Sequence, residues 1–212
     1  MRLRQLFVSL VAGALLATTA GVAAAAPEGA GTARTECSAT FFAGDPRLGP
    51  EVLPDRGAVG RELVGYHRTG GLSEQAFLAT YNTGTGWIYP PRNGYVLDPD
   101  GRPVEWRQTL RPGQDIDRFG SEYGSFLAPE GLPYANRSIP PQSLDGTPAA
   151  GCNYHDYRVL KAFTVDAGPI APWFAQPGHG LQYQLDATLV PGSPATLNVM
   201  WLVANGYLQR LV

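Results

Sequence analysis

The sequence lacks the patterns that announce the common cofactor-dependent enzyme classes. No GxGxxG follows a strand-like run, and neither a GxxxxGK[ST] loop nor an HExxH helix occurs. The simplest signatures of a dehydrogenase, a nucleoside triphosphatase and a zinc protease are therefore missing. The histidines, His67, His155 and His179, are widely spaced and make a poor metal set, and Asp98-Pro99-Asp100-Gly101 does not continue into a calcium-loop ligand series. No metal and no cofactor are expected. Basic residues are also scarce: Lys161 is the only lysine, and Lys+Arg 16 stand against Asp+Glu 18. A phosphate-backbone binder shows a basic face, so no nucleic-acid partner is expected.

Long hydrophobic runs are missing after the first few tens of residues. Residues 1–26 carry Arg2 and Arg4, an apolar stretch from Leu6 to Ala20 and an Ala-rich end, which together read as a secretory signal peptide cleaved near Ala25 or Ala26. That stretch is too short and too rich in Ala and Thr for a membrane span, so no span is expected and the mature chain is read as secreted. Cleavage takes the balance from 16 against 18 to 14 against 18, a net charge of −4. Residues 27–36, rich in Gly, Ala and Thr, read as a flexible linker. Cysteine is limited to Cys37 and Cys152; in an exported chain the even pair reads most simply as one disulfide, and neither residue lies in a CxxC or Cys/His cluster.

Gly 26 and Pro 19 are high counts, and they divide the chain into short apolar segments. This points to a turn-rich fold with strands rather than a helical bundle. Ser73 is a candidate N-cap for a short helix over Ala76–Tyr81. Trp87-Ile88-Tyr89 is a β-type run ended by Pro90-Pro91, and 95–97 with 104–106 flank a tight turn. Residues 154–167 read as one long or two short strands, and 181–185 as a half-exposed strand. Ser193-Pro194 starts a helix running through Ala204, with 207–212 as an edge strand.

The stretch that combines positive charge, flexible backbone and aromatic surface is Asp117–Pro141, DRFGSEYGSFLAPEGLPYANRSIPP. It reads as a ligand-binding loop. Arg118 and Arg137 offer planar donor forks suited to phosphate or carboxylate, Gly120 and Gly124 allow close backbone approach, and Tyr123 and Phe126 offer flat ring faces. The bland alternative is a turn whose arginines pair with Asp115, Asp117 or Glu122. Glu122 is a candidate carboxylate for the site, or else an ion-pair partner of Arg118 or Arg137. Trp173 and Phe174 sit in a Pro-rich loop where either core packing or ligand contact would explain them. Gln182 alternates with apolar residues, as a solvent-facing strand position would. Asn136-Arg137-Ser138 fits a glycosylation sequon.

The words DRFGSEYGSFLAPEGLPY, YHDYRVLKAFTVDAGPIAPWF and LQYQL, in that order, resemble the NAD glycohydrolase family that includes the tuberculosis necrotizing toxin and secreted fungal conidial NADases. RLGPEVLP, GYHRTGGLSEQAFL and WIYPP are closer to the fungal branch, and the resemblance runs from about Cys37 to the C-terminus. It implies an α+β fold: a mainly β core of short twisted strands over 111–212, with a thumb-like helical and loop extension over 37–110 packed on it. The activity implied is cleavage of the nicotinamide–ribose bond of NAD+ or NADP+, which are substrates rather than cofactors. Arg118, Gln182 and His155 fall at or near the family's functional positions, with Phe126 and Arg137 as substrate-binding positions and Tyr123, Ser125 and Trp173 as further substrate contacts. The fungal branch implies a homodimer, and the toxin branch an immunity protein as a separate partner. A nucleotide-binding module without hydrolysis and an ADP-ribosyltransferase are the alternative functions.

Overall fold

Period-two alternation builds the sheet. In Phe163–Pro169 the side chains of Phe163, Val165 and Ala167 are buried while Thr164 and Asp166 alternate with them on the other side. This segment is β5 in the computed structural model, which describes residues 34–211. The others are β1 (Trp106–Leu110), β2 (Asp115–Phe119), β3 (Phe126–Pro129), β4 (Tyr154–Val159), β6 (Leu181–Gln184) and β7 (Leu208–Arg210). They form one seven-stranded sheet in the order β1-β5-β6-β3-β2-β4-β7, and every pairing is antiparallel. The architecture is α+β and mainly β, as expected. The signal peptide, its cleavage point and most of the linker fall outside the described residues. The linker's end is anchored: the Arg34 carbonyl accepts from the N–H groups of Asp55 and Arg56.

The main core joins Ile116, Leu127, Tyr157, Val159, Val165 and Tyr183 from the strands to Val199 and Leu202 of a late helix. A second cluster on the other side of β2 and β4 joins Phe119, Tyr134, Leu144, Tyr154 and the Cys37–Cys152 pair, which is disulfide-bonded as the sequence led us to expect. A third, aromatic cluster ties the extension to the sheet's loops: Leu48, Phe77 and Phe174 are fully or almost fully buried, with Tyr81, Trp87 and Trp173 around them. The extension carries α1 (Gly57–Glu62) and α2 (Glu74–Tyr81), and Ser73 caps α2 by accepting from the Ala76 N–H at 3.2 Å.

Several expectations need correction. The stretch 117–141 is not one loop, because the end of β2 and all of β3 lie within it and Gly120 and Gly124 fall in the turn between them. The sheet starts before residue 111, since β1 pairs with β5 along its whole length. Trp87–Tyr89 has only an isolated bridge, Asn82 to Trp87, since the prolines that follow deny it a ladder. The last helix, α3 (Val199–Ala204), starts later than Ser193-Pro194, with Asn198 accepting from the Trp201 N–H at 2.9 Å. Ser193 is occupied in a turn, its hydroxyl donating to the Ala187 carbonyl. Residues 154–169 form two strands, and β7 is an edge as expected.

The disulfide closes a loop with a sequence separation of 115, so loop-entropy reasoning assigns it about 5 kcal/mol. Reduction, or Cys37→Ser with Cys152→Ser, is expected to lower Tm by about 10 °C in a melting scan, using the size scaling of unfolding entropy.

Candidate functional site

At one end of β2, β3 and β6 a cavity of about 480 Å³ opens between the sheet and the extension. The sheet side contributes Arg118, Gly124, Ser125, Phe126 and Gln182, and the extension contributes Tyr89, Pro90, Asn93 and Gly94. Ile139, Pro140 and Ile170 add apolar surface, and Asn93, Arg118, Ser125, Ser138, Ser143 and Gln182 add polar groups to the same lining.

Arg118 is held rather than loose. Its Nε donates to the Ser121 carbonyl at 2.7 Å and Nη1 to the Phe126 carbonyl at 2.7 Å. The remaining amine, Nη2, lies against the backbone of Gly124, where an added Cβ would collide with the guanidinium. Glycine is thus required at 124 for contact, independently of backbone angle. Burial lowers the Arg118 pKa from its ordinary value, a shift offset in part by Tyr157, Tyr89 and Glu122, and the group keeps its charge in a site shielded from water.

Gln182 is buried, not solvent-facing as its alternation alone implied. Its Nε2 donates to the Asn93 carbonyl at 3.0 Å. Among the described residues no hydrogen bond reaches Oε1, so a ligand can use it as an acceptor. The carbonyl that orients Gln182 belongs to a backbone with consecutive positive φ values at Arg92 (52°), Asn93 (57°) and Gly94 (78°). Non-glycine residues in that region carry strain and mark over-determined structure.

Arg137 also borders the cavity, but the role expected for it needs correction. Its guanidinium is committed to a buried ion network: Nη1 and Nη2 donate to the Asp117 carboxylate at 2.6 and 2.8 Å, Nη2 to Glu62 at 2.7 Å, and Nε to the Leu132 carbonyl at 3.0 Å. Phe119 stacks against it with its ring centroid 5.1 Å away. Few donors remain for a phosphate, so the ion-pair reading of this arginine is the one the structure carries. Burial is the largest influence on the Glu62 carboxyl and, with Asp117 beside it, pushes it up to about 8 against the opposing pull of Arg137. Burial works against the Arg137 charge too, but Asp117 and Glu62 outweigh it and raise its pKa.

Three further expected site residues lie away from the cavity lining. His155 sits on β4 directly opposite Arg118, bonded to the Asn153 side chain at 3.3 Å and stacked on Tyr157 at 6.4 Å. Burial lowers its pKa; Glu122 opposes that, whereas Arg118 and Arg210 add to it. Tyr123 is 74% exposed in the turn after β2. Trp173 donates Nε1 to the Ile88 carbonyl at 2.7 Å and packs edge-on against Tyr81, so it braces the extension. Glu122 pairs with Arg210 at 2.7 Å and accepts from the Tyr157 hydroxyl at 2.8 Å, rather than meeting Arg118 or Arg137. Asn136 donates its amide to the Gly178 carbonyl at 2.7 Å, which places the sequon's nitrogen in an internal bond. Sequence reasoning missed Tyr89, Asn93 and Gly94. The signal was present in the WIYPP word, whose tyrosine was read as the end of a strand.

A mainly β domain with a cavity, one fixed arginine and one oriented amide has the make-up of a small-molecule site that suits an anionic ligand. Comparison with known proteins gives the family. Residues 109–211 match the Tuberculosis necrotizing toxin (TNT) family profile. The chain is 45% identical over 177 residues to the conidial surface nicotinamide adenine dinucleotide glycohydrolase nadA of Aspergillus fumigatus, covering 81% of this chain and 71% of that protein. Among solved structures, tuberculosis necrotizing toxin complexed with its immunity factor superposes with a TM-score of 0.48 at 22% identity, over 65% of this chain and 71% of that one. Rhs1-CT with its cognate immunity protein superposes with a TM-score of 0.34 at 12% identity, over 58% and 84%. The chain belongs to the TNT family.

Two outcomes follow from the geometry. Glu62 has a folded pKa above its unfolded one, so its contribution to stability is complete below the ordinary carboxylate range and is lost as pH rises towards about 8. Glu62→Gln is expected to flatten the fall of Tm across that window, measured by melting at a series of pH values. Gly124→Ala is expected to displace the Arg118 guanidinium, lowering affinity for ligands of the cavity at least tenfold while Tm stays within about 2 °C of the parent; titration calorimetry beside melting checks it.

Proposed function

We propose that the protein is an exported glycohydrolase that cleaves the nicotinamide–ribose bond of NAD+ or NADP+, releasing nicotinamide and ADP-ribose or its phosphorylated form. The observation that carries this is the convergence of Arg118, Phe126 and Gln182 on one cavity in a chain 45% identical to an NAD glycohydrolase. Export is supported by the signal-like residues 1–26 and by the surface location printed in that relative's name.

The chemistry asks little of acid catalysis. Nicotinamide leaves from a pyridinium, so the electron pair of the breaking C1′–N bond settles on the ring nitrogen and the leaving group needs no proton. Water supplies the oxygen that bonds C1′, and one proton is released to solvent. The protein's tasks are to hold the dinucleotide, keep bulk water away and favour a cationic sugar in the transition state. Arg118, fixed by two backbone carbonyls, binds the diphosphate with its remaining donors. Phe126 offers a ring face to the nicotinamide, and Gln182 Oε1 accepts from the ribose hydroxyls or the attacking water. Ser125 lines the same wall. His155, opposite Arg118 on β4, acts on that arginine's surroundings rather than on substrate. No redox cofactor or metal has a step in this scheme. An immunity protein, as accompanies the toxin structures, is the partner class proposed where the exporting cell must protect itself.

Incubation of the mature protein with NAD+ and separation of products by chromatography tests the reading. Equal amounts of nicotinamide and ADP-ribose, unchanged by chelator, are expected; binding without product would leave a nucleotide-binding module, and an ADP-ribosylated acceptor a transferase. Arg118→Ala and Gln182→Ala are each expected to lower kcat/KM at least a hundredfold. Arg118→Ala should cost a few degrees of Tm, because it leaves the Ser121 and Phe126 carbonyls without their donors. Gln182→Ala should cost a few degrees, because it leaves the Asn93 carbonyl without its donor.

A further inference from the structure

The cavity's outer wall comes from residues beyond the matched family core. The TNT profile covers 109–211, yet Tyr89, Pro90, Asn93 and Gly94 line the site from the extension. The backbone that carries them is set firmly. Pro90 and Pro91 fix their own φ, the three residues after them hold positive φ, and the Gly94 carbonyl accepts from the Ala171 N–H at 2.8 Å. At the start of this strap Tyr89 is 61% exposed, although its ring lines the cavity. It is not loosely placed: Phe174, fully buried, meets it edge to face at 5.7 Å between centroids. No hydrogen bond holds the Tyr89 hydroxyl among the described residues. An aromatic ring braced from behind, with its outer face open at the mouth of a polar-floored cavity, is the arrangement by which proteins stack a planar base.

Depth decides which end of the substrate meets it. The bond that breaks must be shielded from bulk water, which assigns the nicotinamide riboside to the buried end beside Gln182 and Phe126. The diphosphate then falls to Arg118, which lines the same cavity and keeps donors beyond its two backbone bonds. The adenosine half is then left at the mouth.

We propose that Tyr89 is a substrate-contacting residue that stacks on the adenine ring, so that the extension supplies the dinucleotide selectivity of the site. This rests on the glycohydrolase reading for the identity of the ligand, but its test does not depend on turnover. ADP-ribose binding is measured by titration calorimetry for the parent, Tyr89→Ala and Tyr89→Phe, beside NAD+ turnover. Tyr89→Ala is expected to weaken ADP-ribose about tenfold and to raise KM for NAD+ by a similar factor, with kcat and Tm held; Tyr89→Phe keeps parental affinity because the ring remains. Equal ADP-ribose affinity in parent and Tyr89→Ala overturns the proposal. So does an equal loss in Tyr89→Phe, which would make the hydroxyl the contact, and so does the absence of ADP-ribose binding to the parent. A parent that binds ADP-ribose through Tyr89 but cleaves no NAD+ would overturn the glycohydrolase reading and leave this one standing.

Discussion

One buried guanidinium joins the parts of this structure that make the site. Arg137 meets Asp117 of β2 on one side and Glu62 of α1 on the other, at 2.6 to 2.8 Å, with all three side chains almost fully removed from water. Two carboxylates share one cation, so the cluster carries an unbalanced negative charge unless a proton joins it, and burial raises the Glu62 carboxyl in that direction. Removing the arginine would strand both acids, a change worth about 3 to 5 kcal/mol in comparable buried pairs. Such a cluster gives registry between the extension and the sheet rather than a large net gain in stability.

The registry matters because the cavity belongs to both parts. Asp117 and Arg118 are neighbours on β2, and strand alternation sends Asp117 into the ion cluster with Phe119, while Arg118 shares the side of Ile116. The anchor and the arginine that lines the cavity are therefore one residue apart on the same strand. On β6, Gln182 takes its orientation from a carbonyl of the extension, and Gly168 opposite it on β5 admits the ring of Tyr95, whose Cδ1 would lie 2.8 Å from an added Cβ. The extension fixes the amide, the sheet fixes the arginine, and the aromatic cluster around Phe174 packs the extension against the sheet's loops.

Much of this was legible beforehand. The ordered words around Arg118, Tyr154 and Gln182 carried the family, and the α2 cap at Ser73 and the Cys37–Cys152 pair followed from local chemistry and from cysteine number. Reading 117–141 as one loop failed because its glycines mark a two-strand turn as readily as a flexible segment, and single-sequence pattern does not separate the two. Arg137 was assigned to phosphate because a guanidinium in a Gly- and Pro-rich stretch has the same composition whether it faces a ligand or a pair of acids. The helix start was misplaced since Ser193-Pro194 has the form of a cap, while Asn198 alone has the geometry of one.

The sequence by itself determined the class of the fold, the family and the arginine and glutamine on which the site is built, because these rest on alternation, on residue chemistry and on words that survive without coordinates. Only the tertiary structure decided which arginine is tied into a buried ion cluster and which keeps donors free on the cavity, and that Tyr89, Pro90, Asn93 and Gly94 line that cavity. Those outcomes depend on partners far apart in the chain: Glu62 lies 75 residues from Arg137, and Asn93 lies 89 from Gln182. Burial and long-range pairing are properties of the packed chain, and no local pattern encodes them.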